Sequence, residues 1–105
     1  MKKRIQKIEE QIEKVKSELM SIRTMRPGLV SRQFKDRKSR TGSYYQISYT
    51  HRMKSRTEYV PVGFIADVRQ QTAEYDRFKK LVDIWVRLAI EHARLTTKLA
   101  KERNV

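Results

Sequence analysis

The apolar residues of this chain change period twice, and no other feature of the sequence constrains the fold as tightly. In the first stretch Ile5, Ile8, Ile12, Val15, Leu19 and Ile22 recur at alternating intervals of three and four. That is a heptad seam, with Lys, Glu and Gln filling the positions between. The spacing predicts a helix over residues 1–25. Arg26-Pro27-Gly28 ends it, because proline disfavours helix for the residue before it and glycine permits a sharp turn.

The period then drops to two. Val30, Arg32 and Phe34 alternate with Ser31, Gln33 and Lys35, and Tyr45, Ile47 and Tyr49 alternate with Tyr44, Gln46, Ser48 and Thr50. Residues 57–60 form a third short run rich in β-formers, closed by Pro61. Residues 36–43 read as an exposed loop and residues 51–55 as a hairpin turn lacking an Asn-Gly pair.

After Gly63 the helical period returns. Ile65, Val68, Thr72, Tyr75, Phe78, Val82, Trp85, Ala89, His92, Thr96 and Leu99 fall near one face, which Leu81, Leu88 and Leu95 widen. This predicts a helix over residues 62–103, up to roughly 60 Å long at 1.5 Å per residue. Thin apolar support marks a possible break near 70–73. The fold class is therefore α+β: an N-terminal helix, a small three-stranded antiparallel sheet and a long C-terminal helix, with the two helices forming an antiparallel coiled-coil-like pair. It is read as a single domain over 1–105, with a basic β-region at 28–61. The last helix has a stripe too wide for the first helix to cover. The remainder needs the sheet or a second copy of the chain, so a homodimer through the helices is open.

Charge enters because of where it lies. The chain carries 25 basic and 12 acidic residues in 105, a formal net charge of +13. Residues 23–56 hold ten of the basic residues and one acid, Asp36, which is +9. Such an excess suits a polyanionic partner. Within it Arg32, Lys35, Arg37, Lys38, Arg40, Arg52, Lys54 and Arg56 are candidates for phosphate contacts. Gln33, Tyr44 and Gln46 are candidates for contacts beyond phosphate, since amides can read base edges and tyrosines can stack on bases. Tyr45 and Tyr49 are assigned to the core, as period-two tyrosines usually are, and Tyr44 is left open between core and stacking.

Other chemistries find little support. There are no cysteines, His51 has no acid at ligand spacing, and His92 falls on the apolar face, so neither a metal site nor a cofactor is expected. The three isolated glycines make no phosphate loop, and no nucleophile is grouped with a base, so no enzyme is expected. No apolar run reads as a signal peptide or a membrane span, and no helix sets a purely basic face against a strong apolar one. A soluble cytoplasmic protein with no membrane partner is the expectation.

The runs Arg26-Pro27-Gly28-Leu29, Gly42-Ser43-Tyr44-Tyr45-Gln46-Ile47-Ser48-Tyr49 and Arg56-Thr57-Glu58-Tyr59-Val60-Pro61 resemble a family of small prokaryotic proteins of unknown function, often encoded beside transposases. The resemblance spans about residues 25–95. Many members carry a short cysteine cluster ahead of the Gly-x-Tyr element. Here the corresponding residues, 35–41, are basic and contain no cysteine. The resemblance implies a mobile-element setting and no known activity. A sheet followed by a helix is also similar to the DNA-binding domains of some integrases, which lay a sheet in the major groove. That is an analogy of architecture.

The expected function is non-enzymatic nucleic-acid binding, DNA favoured over RNA, through the basic sheet and its loops. The alternative is a helical adaptor or accessory subunit of a larger nucleoprotein complex, partnered with a transposase, a nuclease or an RNA-containing assembly.

Overall fold

A computed structural model describes residues 1–103. The order is α1 (Lys2–Met20), β1 (Leu29–Asp36), β2 (Thr41–His51), β3 (Lys54–Val60), a single 3-10 turn (Val62–Phe64) and α2 (Ile65–Arg103). The three strands form one antiparallel sheet in the order β1-β2-β3. The chain divides into two compact units. One holds Met1–Arg23 with the chain from Arg77 onward, and the other is Thr24–Asp76. No helix of the described residues is long and apolar enough to cross a membrane.

The helical unit is the antiparallel pair that the two seams predict. Ile5, Ile8 and Val15 of α1 and Leu81 of α2 are buried. The antiparallel sense is marked by contacts that run forward on α1 and backward on α2. Arg4 donates to Glu91 at 2.7 Å, Lys16 Nζ lies 5.3 Å from the Trp85 ring, and Arg77 donates to Ser21 Oγ at 3.0 Å. His92 faces this seam, with its Nε2 3.7 Å from Glu9. α1 stops at Met20, several residues short of the predicted end. Ser21 closes it by turning its hydroxyl onto the Glu18 carbonyl at 2.6 Å, and the chain then runs without regular structure to Gly28. A residue that satisfies a last-turn carbonyl competes with continuing the helix.

The sheet unit is held by a small core. Ile47, Val60 and Val68 are buried, and Val30, Tyr45 and Ile65 pack against them. Ile47 pairs with Val30 and Glu58, while Tyr45 pairs with Arg32 and Val60, so the apolar members share one face of the sheet. The first turns of α2 cover that face through Ile65 and Val68. Gly28 is essential to the closure. Its φ is +139°, and an added Cβ would lie 2.6 Å from Ile47 Cγ1. Glycine alone tolerates both the conformation and the approach. Pro61 ends β3, and the Phe64 amide donates to its carbonyl at 2.9 Å to start the turn into α2.

Both hairpin connections are tighter than the sequence suggests. The predicted loop 36–43 shrinks to four turn residues between β1 and β2. Asp36 organises it: the Lys38 and Ser39 amides donate to its Oδ1 at 3.1 and 3.4 Å. The Ser39 side chain first, and then these two amide bonds, hold the Asp36 carboxyl below the usual carboxylate range. The second connection is only Arg52 and Met53, with φ of 52° and 65°. Two successive positive φ values are the signature of a type I′ turn, which normally takes Asn-Gly. Each non-glycine residue there costs roughly 1–2 kcal/mol. α2 is continuous through residues 70–73, where the sequence suggested a break.

Candidate nucleic-acid interface

Strand register sorts the predicted site residues onto two faces. Gln33 pairs with Tyr44, and Ser31 pairs with Gln46, which pairs in turn with Tyr59. All of these point away from the face that α2 covers, because side chains alternate along each strand. The three residues expected to reach beyond phosphate, Gln33, Tyr44 and Gln46, therefore stand together on the open face. Lys35 is on the same face, at the end of β1 nearest the Asp36 turn.

The open face is a continuous polar and aromatic surface. Gln33 Nε2 donates to Ser31 Oγ at 3.2 Å, the Ser48 and Thr57 hydroxyls are 3.2 Å apart, and those of Thr50 and Ser55 are 2.9 Å apart. Tyr59 is 66% exposed and Leu29 74%. Tyr59 is absent from the set predicted from sequence. Its run ends at buried Val60 beside Pro61, so it reads as part of a short buried strand. Alternation about Val60 is the signal that would have placed it outward.

The cations divide differently. Arg37, Lys38 and Arg40 sit in the turn between β1 and β2, and Arg52 sits in the turn between β2 and β3. These turns lie at opposite ends of β2, about 33 Å apart for an 11-residue strand. Arg32, Lys54 and Arg56 alternate onto the face that carries Ile47 and Val60. Arg32 is held there, with its guanidinium 5.1 Å from the Phe34 ring and 3.3 Å from Ser43 Oγ. Among the described residues none of these cations, nor Lys35, has an acid within salt-bridge distance. Glu58 is the acid of the strands best placed to neutralise them. It is instead taken by Arg26 at 2.8 Å and by the Tyr49 hydroxyl at 3.0 Å. Tyr45 packs on the core with the Arg69 guanidinium 5.8 Å from its ring, so Tyr45 and Tyr49 both point to the covered face.

A second basic cluster belongs to the helical unit and was not singled out from sequence. Arg94, Lys98 and Lys101 follow one another along a face of α2 and, with Ala93 and Thr97, line a shallow hollow. The antiparallel register marked by Arg4 and Glu91 brings Lys2, Lys3 and Lys7 to the same end of the pair. Positive residues suit the C-terminus of α2 but oppose the dipole at the N-terminus of α1, whose first turn has no acid. Only the pairing of the helices juxtaposes them.

Among the described residues no three His, Asp or Glu side chains gather as a metal site. No family model, no curated protein and no solved structure matches the chain.

Proposed function

We propose that this protein is a non-enzymatic nucleic-acid-binding protein, that its partner is duplex DNA, and that it serves in a mobile-element setting. The observation that carries the reading is the sheet unit's set of eight cations without acid partners, five of which, Lys35, Arg37, Lys38, Arg40 and Arg52, lie on or at the ends of an open face of Gln33, Tyr44, Gln46 and Tyr59. Turn cations at both ends of β2 neutralise phosphates, and the amides between them meet base edges. The resemblance to transposase-linked proteins favours DNA over RNA.

Binding of one radiolabelled sequence as duplex DNA, single-stranded DNA and structured RNA across a salt series tests this. Neutralised phosphates release counterions, so duplex affinity should fall steeply with salt. Salt-insensitive binding, or no duplex binding near physiological salt, would sink the reading. A preference for the RNA would replace DNA as the partner.

A second reading, an accessory subunit, is favoured by one observation. Val82, Val86 and Ile90 recur every fourth residue on α2 and are 36%, 50% and 47% exposed. Light scattering with and without DNA separates the two: a stable monomer with that stripe open and no gain of mass on adding DNA points to a missing protein partner, whereas a gain of mass with DNA supports direct binding.

A further inference from the structure

One part of the sheet unit is poorly explained by phosphate contacts alone. Beyond the pair of Leu29 with Ser48, β1 no longer accompanies β2. β2 and β3 continue as a two-stranded ladder through Tyr49 with Arg56, Thr50 with Ser55 and His51 with Lys54. At about 3.4 Å per residue this arm carries roughly 10 Å past β1. Its tip is the turn of Arg52 and Met53, both in the left-handed region.

That tip is built against local preference. Gly stands at such positions because it has no Cβ to crowd the carbonyl, and Asn because its short polar side chain hydrogen-bonds locally. This chain places an arginine and a methionine instead, and Met53 is 98% exposed. It packs on nothing. Residues 49–57 contain no acid, while Arg52, Lys54 and Arg56 surround the tip. An unsupported apolar side chain in a strained turn ringed by cations serves neither stability nor solubility. It does suit a wedge, in which cations grip the phosphates on either side and an apolar group enters between base pairs.

Resting on the reading of the sheet unit as a duplex-DNA binder, the geometry points to the β2–β3 arm as a minor-groove probe whose Met53 side chain inserts into a base step and kinks the duplex. The arm is long enough to reach the floor of a minor groove about 7.5 Å deep. That groove is about 6 Å wide, so it must widen as the duplex kinks to take two strands about 4.8 Å apart, and the small hydroxyl side chains of Thr50 and Ser55 keep one face of the arm thin. The unbranched thioether adapts to an irregular gap. The energetic demand falls on the DNA, so the protein prefers duplexes that are already unstacked.

The test uses two duplexes of one sequence, one intact and one with a central pair of mismatches, titrated with the full chain at fixed salt. The mismatched duplex should bind about tenfold tighter, because its stacking is already weakened. End-to-end energy transfer should report a bend in both. Met53→Asn keeps a residue at home at positive φ and removes the wedge, so the preference should fall to about one. Met53→Leu should restore it. Met20→Gln, which removes an 85% exposed methionine of α1, should leave it unchanged. Circular dichroism verifies that each variant is folded. Equal, salt-dependent binding of both duplexes, or a preference that survives Met53→Asn, overturns the wedge and leaves the sheet reading standing. Absence of binding to either duplex near physiological salt overturns both.

Discussion

The two units of this chain carry positive charge in different ways. The helical unit holds fifteen basic and seven acidic residues, and the sheet unit ten and five. Net charge is therefore larger on the helices, although the run of residues richest in cations lies on the sheet. Some helical cations meet acids, Arg4 on Glu91, Lys16 on Glu13 and Arg87 on Asp83, whereas Lys2, Lys3, Lys7, Arg94, Lys98 and Lys101 have no acid within salt-bridge distance among the described residues. In the sheet unit the acids of α2 lower the total, yet the cations of the strands and turns have no acid partner among the described residues. What distinguishes a phosphate-binding surface is unpaired, exposed charge beside groups that can read a ligand. Total charge alone would have chosen the other unit.

The cores differ as well, and this sets the largest predicted effect. The helical seam spreads its burial along two helices, whereas the sheet unit depends on Ile47, Val60 and Val68. Gly28→Ala drives a Cβ into Ile47 and strains the backbone, and should cost about 3 kcal/mol or more. Hydrogen exchange should show protection lost in β2 before α1. Equal loss in both helices and strands would show that the two units unfold together.

The comparison of charge is tested next. Arg37→Glu with Lys38→Glu should weaken duplex binding by about 30-fold or more and reduce the slope of log affinity against log salt by about two. Lys98→Glu with Lys101→Glu, at the end of the helical pair, should do less. A larger effect from the helical pair would move the binding surface to that end. Helical content should stay unchanged in both.

A smaller effect, of opposite sign on stability and binding, is expected at the arm. Arg52→Asn relieves one left-handed arginine and should stabilise the sheet unit by about 1 kcal/mol, while removing the phosphate contact proposed for Arg52. A rise in the denaturation midpoint with no loss of affinity would separate the turn from the interface.

The smallest effect is at Asp36. Its folded carboxyl titrates below the usual range because the Ser39 side chain and the Ser39 and Lys38 amides bind the charged form. The contribution is present above the unfolded value and lost as pH falls through the folded one. The protection of the Lys38 and Ser39 amides, taken relative to intrinsic exchange at each pH, should therefore fall in acid, and Asp36→Asn should flatten that dependence. Protection that stays constant down to strong acid would remove Asp36 as the organiser of the turn.

Much of the fold is legible in the residues. Ile5, Ile8 and Val15 recur at the period that buries them, and Ile47 sits at the centre of the alternating run that becomes the central strand. The ends of elements were less legible. Ser21 stops α1 ahead of Pro27 through its own hydroxyl, and ladder pairing draws Thr41 to Ser43 out of the predicted loop into β2. The candidate site was legible as a set of residues but not as an arrangement. Alternation sets Arg32 against Gln33, and Tyr45 against Tyr44 and Gln46, but local sequence does not say which residues of neighbouring strands stand opposite one another; the register pairs Gln33 with Tyr44 and Gln46 with Tyr59.

The sequence by itself determined the type and order of the elements, because a period of two or of three to four is a local property of the chain. It also determined that positive charge concentrates between residues 23 and 56. Only the tertiary structure decided which face of the sheet stays open. Alternation creates two faces, and Ile65 and Val68 choose the one they cover. Tertiary structure also brought Lys2, Lys3 and Lys7 to the end of the helical pair that holds Arg94, Lys98 and Lys101, since antiparallel packing joins residues about ninety positions apart in the chain.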